Sequence, residues 1–449
     1  MCKILHIFVY LCKNIGLFGC FSVLLCSAKT NYNMNKLFLT ALVALFSTSA
    51  LAQRVITVSV ANPSSADRTD QSVVISLGDY GNVSRAIVTC DGSEIPCQLD
   101  DLDQDESFDE LCFLADLKSK QSKQYQITLY SDPKLEPAQY PARVFAEMLI
   151  RNDKVKEKNK HNNFIESITA RGDCANSYNI QHHHGVDFES ELNGIRIYFD
   201  KRQTLDLYGK FQKRLELEAT QFYTSPEQKA EGYGDDVLWV GNTFGLGAFR
   251  GWDGSQPTMI EPVKNRTQRI ISYGPLRTIV EVIDKGWSYL SPITSHLSPL
   301  NITLRYIQYA GHRDTDIEVY FTKKNVDVTD CRFSTGVINV KGSQEFSDKD
   351  GLRGCWGSDF PTGDTINFKR ETVGLGILIP KQYVVSEQPA NKDNYAFVVK
   401  ACDNKMKYKV VYTSDNETFG YHSAKDWFAF LKQWRKDVEQ PVKVTVAKR

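Results

Sequence analysis

Three of the chain's eight histidines stand side by side in QHHHGVDFESELNGIRIYFDKRQTLDLYGK, residues 181–210, and are followed by acids, two arginines, two tyrosines and two lysines. An imidazole titrates near neutral pH and can take or give a proton, with a tyrosine such as Tyr208 as its partner. Two imidazoles two residues apart can also bind a divalent metal, with Glu189, Glu191 or a distant residue completing the shell. A histidine-rich turn with no chemical role is the third reading. In an extended chain His182 and His184 project to one side and His183 to the other, so at most two share a site unless the backbone bends.

A second cluster, GYGDDVLWVGNTFGLGAFRGWDG at 232–254, carries Asp235, Asp236, Trp239, Asn242, Arg250, Trp252 and Asp253. Its glycines do not match GxGxxG, and no Lys-Ser/Thr follows in the P-loop position, so a nucleotide site is rejected. The composition suits stacking on sugar rings and recognition of hydroxyls; a structural loop packed by its own aromatics is the alternative. Arg277, His312, Arg313, Trp356 and Asp359 are weaker candidates, an arginine being suited to pairing with a substrate carboxylate. The acidic loop LDDLDQDESFDE at 99–110 places Asp101, Asp103 and Asp105 at alternate positions. It lacks the glycine and closing glutamate of an EF-hand and reads as a solvated loop.

Alternation dictates how these residues are held. In IRIYFD, Ile195, Ile197 and Phe199 fall on one face and Arg196, Tyr198 and Asp200 on the other; in LDLYGK, Leu205 and Leu207 oppose Asp206, Tyr208 and Lys210. Joined through residues 201–204, the two strands form a hairpin with Arg-Tyr-Asp beside Asp-Tyr-Lys on one polar face. Such a face, rich in tyrosine, acid and base, fits a sugar cleft.

Around this hairpin the chain reads as mainly β. Short alternating runs broken by Asn-Pro-Ser-Ser and Gly-Asp-Tyr-Gly predict a small β-sandwich over 53–135, ending in a proline-containing linker. Residues 136–449 read as a larger β domain, from β-branched and aromatic runs such as LRTIVEVID, DIEVYFTKK and VGLGILIP. One amphipathic helix closes it: SAKDWFAFLKQWRKDV, capped by Ser423, places Trp427, Phe430, Leu431, Trp434 and Val438 on a core stripe.

The 449 residues carry 54 Lys+Arg and 54 Asp+Glu, so no global field favours nucleic acid or anionic lipid. MNKLFLTALVALFSTSALAQ, from Met34, has the charge, apolar run and small-residue end of a secretory signal peptide cut before Gln53. Residues 1–33 then read as a segment upstream of the true start, 34–52 as the leader, and the rest as a soluble exported chain with no stable membrane anchor, periplasmic or secreted. Seven cysteines remain, none with CxxC zinc spacing; Cys90 and Cys97 are close enough to pair across a short loop.

The stretches at 182–210, 235–254 and 272–283 resemble a secreted family, long catalogued as a domain of unknown function, that accompanies polysaccharide-degradation systems. GPLRTIVEV and LRYIQYAGHRDTDIEVYF are similar to the β-supersandwich of galactose mutarotases and several polysaccharide lyases, and the family is linked to an oligosaccharide dehydratase of ulvan breakdown. The resemblance implies a large galactose-mutarotase-like supersandwich after the small sandwich, and a lyase or dehydratase acting by β-elimination on uronate-containing oligosaccharides. For that chemistry the residues supply His183 or His184 as base, Tyr208 or Tyr198 as acid, and Arg196 or Arg250 to neutralise the carboxylate. Glu189, Asp206, Asp236, Trp239, Asn242, Trp252 and Arg277 complete the expected glycan contacts. No cofactor is required, and a divalent metal is a candidate. A glycoside hydrolase using two of Asp200, Asp206, Asp236 and Glu189, a mutarotase or epimerase, and a non-catalytic glycan-binding protein are the competing readings.

Overall fold

Sheets dominate because nearly every apolar run is short, alternating and bounded by turn residues. The structure, a computed structural model, describes residues 53–150, 163–174, 180–290, 297–322 and 327–447. The expected leader at 34–52 and the segment before it lie outside the described residues. Among the described residues no helix is long and apolar enough to cross a membrane.

Two small sheets open the chain. One contains Gln53–Ala61, Ser122–Tyr130, Arg85–Cys90 and Ser93–Ile95; the other contains Arg68–Ser76, Glu110–Leu117 and Cys97–Asp100. Their inward residues, among them Val58, Val73, Val88, Phe113 and Ile127, form a core of their own. The far end of the chain returns to this layer: Lys443–Val446 pairs with the first strand, Val446 opposite Val58. Cys90 and Cys97 are not paired with each other; both are free thiols. The acidic loop organises its own turn, Asp101 accepting from the amides of Gln104, Asp105 and Glu106.

The larger layer is a nine-stranded antiparallel sheet running from Gln344–Ser347 at one edge to Ser167–Arg171 at the other, with Arg277–Leu290 and Leu297–Tyr309 as its long strands. Two five-stranded sheets share one continuous core with it, built from residues such as Phe188, Ile197, Val282, Leu304, Phe333 and Phe397. The fold is therefore mainly β and sandwich-like. The helix Ala424–Glu439 forms where its cap and stripe predict: Ser423 accepts from the Asp426 amide, and Trp427, Leu431 and Trp434 bury against Leu352, Leu378 and Val411. Glycine at 374 permits this contact, since a Cβ there would sit 2.7 Å from the Trp427 ring.

Arg277 joins the two layers. Its guanidinium reaches Asp100 and Glu110 of the small sandwich, each at 2.7 Å, while Gln98 accepts from the Leu276 and Arg277 amides. The expectation that Arg277 binds glycan is corrected: it is 1% exposed and committed to these acids. Removing one partner of a buried pair leaves an uncompensated charge at a cost of about 3–5 kcal/mol. Arg277→Met is therefore expected to lower the unfolding free energy by roughly that amount in urea titrations. A loss below about 1 kcal/mol, the scale of a surface pair, would contradict this reading.

Candidate functional site

The site is built on the outer face of one five-stranded sheet, ordered Asp235–Asp236, Leu205–Gly209, Gly194–Tyr198, Gly185–Ser190, Val144–Glu147. Its inner face carries Ala146, Val186, Phe188, Ile195, Ile197, Leu205 and Leu207 into the main core. The hairpin read from alternation forms, with Arg196 opposite Asp206 and Ile197 opposite Leu205. Because the strands are antiparallel and in register, the outer face carries a row of charged residues: Glu147 opposite Asp187, Asp187 opposite Arg196, and Arg196 opposite Asp206. Close approach is enforced at Gly185, where a Cβ would lie 1.8 Å from the Ile197 carbonyl oxygen.

Arg196 organises the open part of this face. Nη2 donates to Asp206 Oδ2 at 2.7 Å and to Asp236 Oδ2 at 2.9 Å, while Nε donates to Asp206 at 3.1 Å. Nη1 donates to the Tyr223 hydroxyl at 2.7 Å, and the guanidinium lies 4.2 Å from the Phe222 ring centroid. Tyr198 donates to Asp206 Oδ2 at 2.9 Å. Burial, reinforced by Asp206, holds the Tyr198 phenol well above its ordinary range and so keeps it protonated. The same two causes hold the Asp236 carboxyl well above the usual carboxylate range.

These groups open into a cavity of about 290 Å³ lined by His184, Arg196, Tyr198, Arg202, Asp206, Tyr223, Asp236 and Trp239, among others. His184 stacks on the Tyr198 ring with centroids 5.9 Å apart, and Arg202 lies 4.7 Å over that same ring while paired with Asp200. Trp239 is 56% exposed, an aromatic surface at the cavity wall. A larger recess of about 590 Å³ shares Leu238, Trp239, Val240 and Gly241 and continues past Asn242 to Asp359 and Asp393. The arrangement offers an imidazole, a protonated phenol, two guanidinium groups and a stacking platform around one opening.

The histidine triplet is not extended. It forms one tight turn, Gln181 before it in β conformation, with His183 and His184 left-handed at φ 40° and 71°. Non-glycine residues held there are strained by about 1–3 kcal/mol each and persist only where surrounding structure fixes them. The bend separates the histidines: His184 lines the cavity, whereas His183 is 2% exposed. His183 Nε2 lies 3.6 Å from Glu147 Oε1 and 3.5 Å from Asp187 Oδ2. Burial holds the His183 imidazole well below its ordinary pKa; burial, then Asp187, Glu189 and Glu218, pushes the Glu147 carboxyl up to about 11. The acids expected beside a histidine metal site, Glu189 and Glu191, are engaged elsewhere. Glu147 and Asp187 stand beside His183 instead.

Several other expectations are corrected by packing. The excursion from 211 to 234 folds over part of the polar face, burying Tyr208 with Leu217 and Phe222, and the Tyr208 hydroxyl donates to the Gly234 carbonyl rather than facing the cavity. The same segment buries Glu189, which accepts from Lys210 Nζ at 2.5 Å and from the amides of Glu216 and Leu217. Arg250 is buried against Thr204, the Thr243 carbonyl and Met259, and burial lowers its pKa to about 9. Asn242 lines the neighbouring recess, and Trp252 is buried in a short strand beside Pro257. Of the residues read from sequence, Arg196, Tyr198, His184, Asp206, Asp236 and Trp239 converge on the cavity. Arg202, Tyr223 and Glu147 were missed. Tyr223 carried a local signal, since Ser225-Pro226 with Gln228 makes a capping box that marks a helix start immediately after it.

Two solved structures resemble this architecture distantly. An alpha-mannosidase from Enterococcus faecalis V583 aligns at 11% identity with a TM-score of 0.43, over 88% of this chain and 46% of that one. A protein in glycosyl hydrolase family 38 from Enterococcus faecalis aligns at 10% identity with a TM-score of 0.44, over 88% and 48%. The chain spans about half the length of these structures, and likeness at this level assigns no activity. No curated protein sequence matches the chain. Residues 60–444 match the family model described as a domain of unknown function, DUF4861. Since that match spans most of the sequence, this chain belongs to the DUF4861 family.

Proposed function

We propose that this protein is an exported carbohydrate-active enzyme that binds a uronate-containing oligosaccharide between His184 and Trp239 and cleaves a C–O bond by β-elimination. The observation that carries the reading is the convergence of His184, Tyr198, Arg196 and Arg202 on one cavity with an exposed tryptophan at its wall. His184 removes the C5 proton, the C4–O bond breaks as the C4–C5 double bond forms, and Tyr198 protonates the departing oxygen. Arg202, with Arg196 behind it, neutralises the uronate carboxylate as charge develops on it. A departing hydroxyl leaves as water, making the enzyme a dehydratase; a departing sugar makes it a lyase. The leader sequence supports export to the periplasm or medium.

Base and acid fall to His184 and Tyr198, rather than His183 and Tyr208, because only the first pair lines the cavity. One observation favours a second reading. Asp206 and Asp236 meet on a single guanidinium nitrogen, and burial with Asp206 beside it pushes the Asp236 carboxyl well above the usual carboxylate range, two carboxyl groups of the kind a glycoside hydrolase uses. Against it, Asp206 Oδ2 accepts from Arg196 and Tyr198 together and is poorly placed to attack a sugar.

Incubation with a panel of uronate oligosaccharides, followed by mass and ultraviolet absorbance, separates the readings. Loss of one water with new absorbance is expected for a dehydratase and two fragments with absorbance for a lyase, whereas two fragments without absorbance would establish a hydrolase. His184→Ala and Tyr198→Phe are each expected to reduce the initial rate by about 10²–10⁴-fold, the usual contribution of a positioned acid or base. Tyr208→Phe should stay near the wild-type rate, since it loses one buried hydrogen bond worth about 1 kcal/mol of stability. Equal rates in all three variants would remove His184 and Tyr198 from the chemistry.

A further inference from the structure

One strand away from the cavity, Glu147 and Asp187 face each other directly across an antiparallel pair, with His183 against both. All three are buried, and a ligand atom from each lies within 4.8 Å of the other two. Like charges directly opposed in a sheet destabilise it, and buried carboxylates require a compensating cation. Arg196, which stands opposite Asp187 across the strands, is engaged by Asp206 and Asp236. Among the described residues, neither carboxylate oxygen of Asp187 and neither ring nitrogen of His183 has a hydrogen-bond partner. The separations of 3.5 and 3.6 Å from His183 Nε2 fit the edge of a tetrahedron with metal–ligand bonds of about 2.0–2.2 Å, which spans about 3.3–3.6 Å.

We propose that Glu147 Oε1, His183 Nε2 and Asp187 Oδ2 bind a divalent transition-metal ion of the Zn²⁺ type. One imidazole and two carboxylates suit such an ion, and two negative charges balance it. Its ligands come from the strand Val144–Glu147, the histidine turn and the strand Gly185–Ser190, so the ion ties the strained turn to the sheet. The ion thereby fixes the backbone that presents His184 to the cavity. It acts as a positioning element behind the proposed reaction site and takes no part in the elimination.

The test uses the full chain without a polyhistidine tag, stripped with EDTA, incubated with Zn²⁺, freed of excess by gel filtration and assayed by plasma mass spectrometry. Wild type is expected to retain about one equivalent and to melt at a higher temperature with Zn²⁺, the shift reversing on EDTA. Asp187→Asn and His183→Gln should each weaken retention by more than about 100-fold, beyond the scale of changes outside the ligand shell. Glu147→Gln gives the same readout should either variant misfold, and Asp103→Asn, in the exposed acidic loop, should retain the ion. Failure of wild type to retain Zn²⁺, Mn²⁺ or Co²⁺ overturns the proposal, as does full retention by folded Asp187→Asn and His183→Gln. Retention without any elimination activity would count against the proposed function alone.

Discussion

Arg196 compensates the charge of an otherwise costly surface. The outer face of its sheet carries Glu147, Asp187, Arg196 and Asp206 in one cross-strand row, with Asp236 completing the group from the edge strand. Withdrawing such charges from water costs several kcal/mol per ion, and their mutual attraction offsets this only where geometry and hydrogen bonding are good. At Arg196 they are: every donor nitrogen of the guanidinium meets an acid or a phenol at 2.7–3.1 Å. The tyrosines, Asp236 and the cavity wall take their positions from that arrangement. Farther along the row, Glu147 and Asp187 both approach His183.

A polar face so constructed explains why the site is rigid on one side and open on the other. Its back is the main core, where Ile195, Ile197, Leu205 and Leu207 fix each strand. Its upper part is sealed by the 211–234 excursion through Leu217 and Phe222 and by the Lys210–Glu189 pair. The remainder opens beside Trp239 and continues into the recess past Asn242. Fold alone does not choose the reaction, because sandwiches of this kind host several chemistries. The proposal of elimination rests on the pairing of a histidine with a protonated tyrosine beside two guanidinium groups.

Much of this was legible in the sequence where the information was local. Period-two alternation in IRIYFD and LDLYGK placed Arg196, Tyr198 and Asp206 on one face before any coordinates, and the Ser423 cap with its tryptophan stripe located the terminal helix. Long-range pairing was not legible. Glu147 reaches His183 from a strand well upstream in the chain, and Arg277 is claimed by acids of the first sandwich. Tyr208 has the same alternation phase as Asp206, so only the later excursion that covers it could reveal that it is buried. The left-handed turn at His183 and His184 escaped for a related reason: nothing in three identical side chains announces a strained backbone that tertiary contacts impose.

The central claim is that the opening between His184 and Trp239 is where a uronate sugar sits. A crystal structure of the His184→Ala protein soaked with a uronate-containing oligosaccharide tests it most directly. The account predicts a sugar ring against Trp239, its carboxylate within hydrogen-bonding distance of Arg202 or Arg196, and its C4 oxygen beside the Tyr198 hydroxyl. Sugar bound instead in the separate cavity lined by Asp316, Lys381 and Arg435, with the opening beside Trp239 empty, would contradict it.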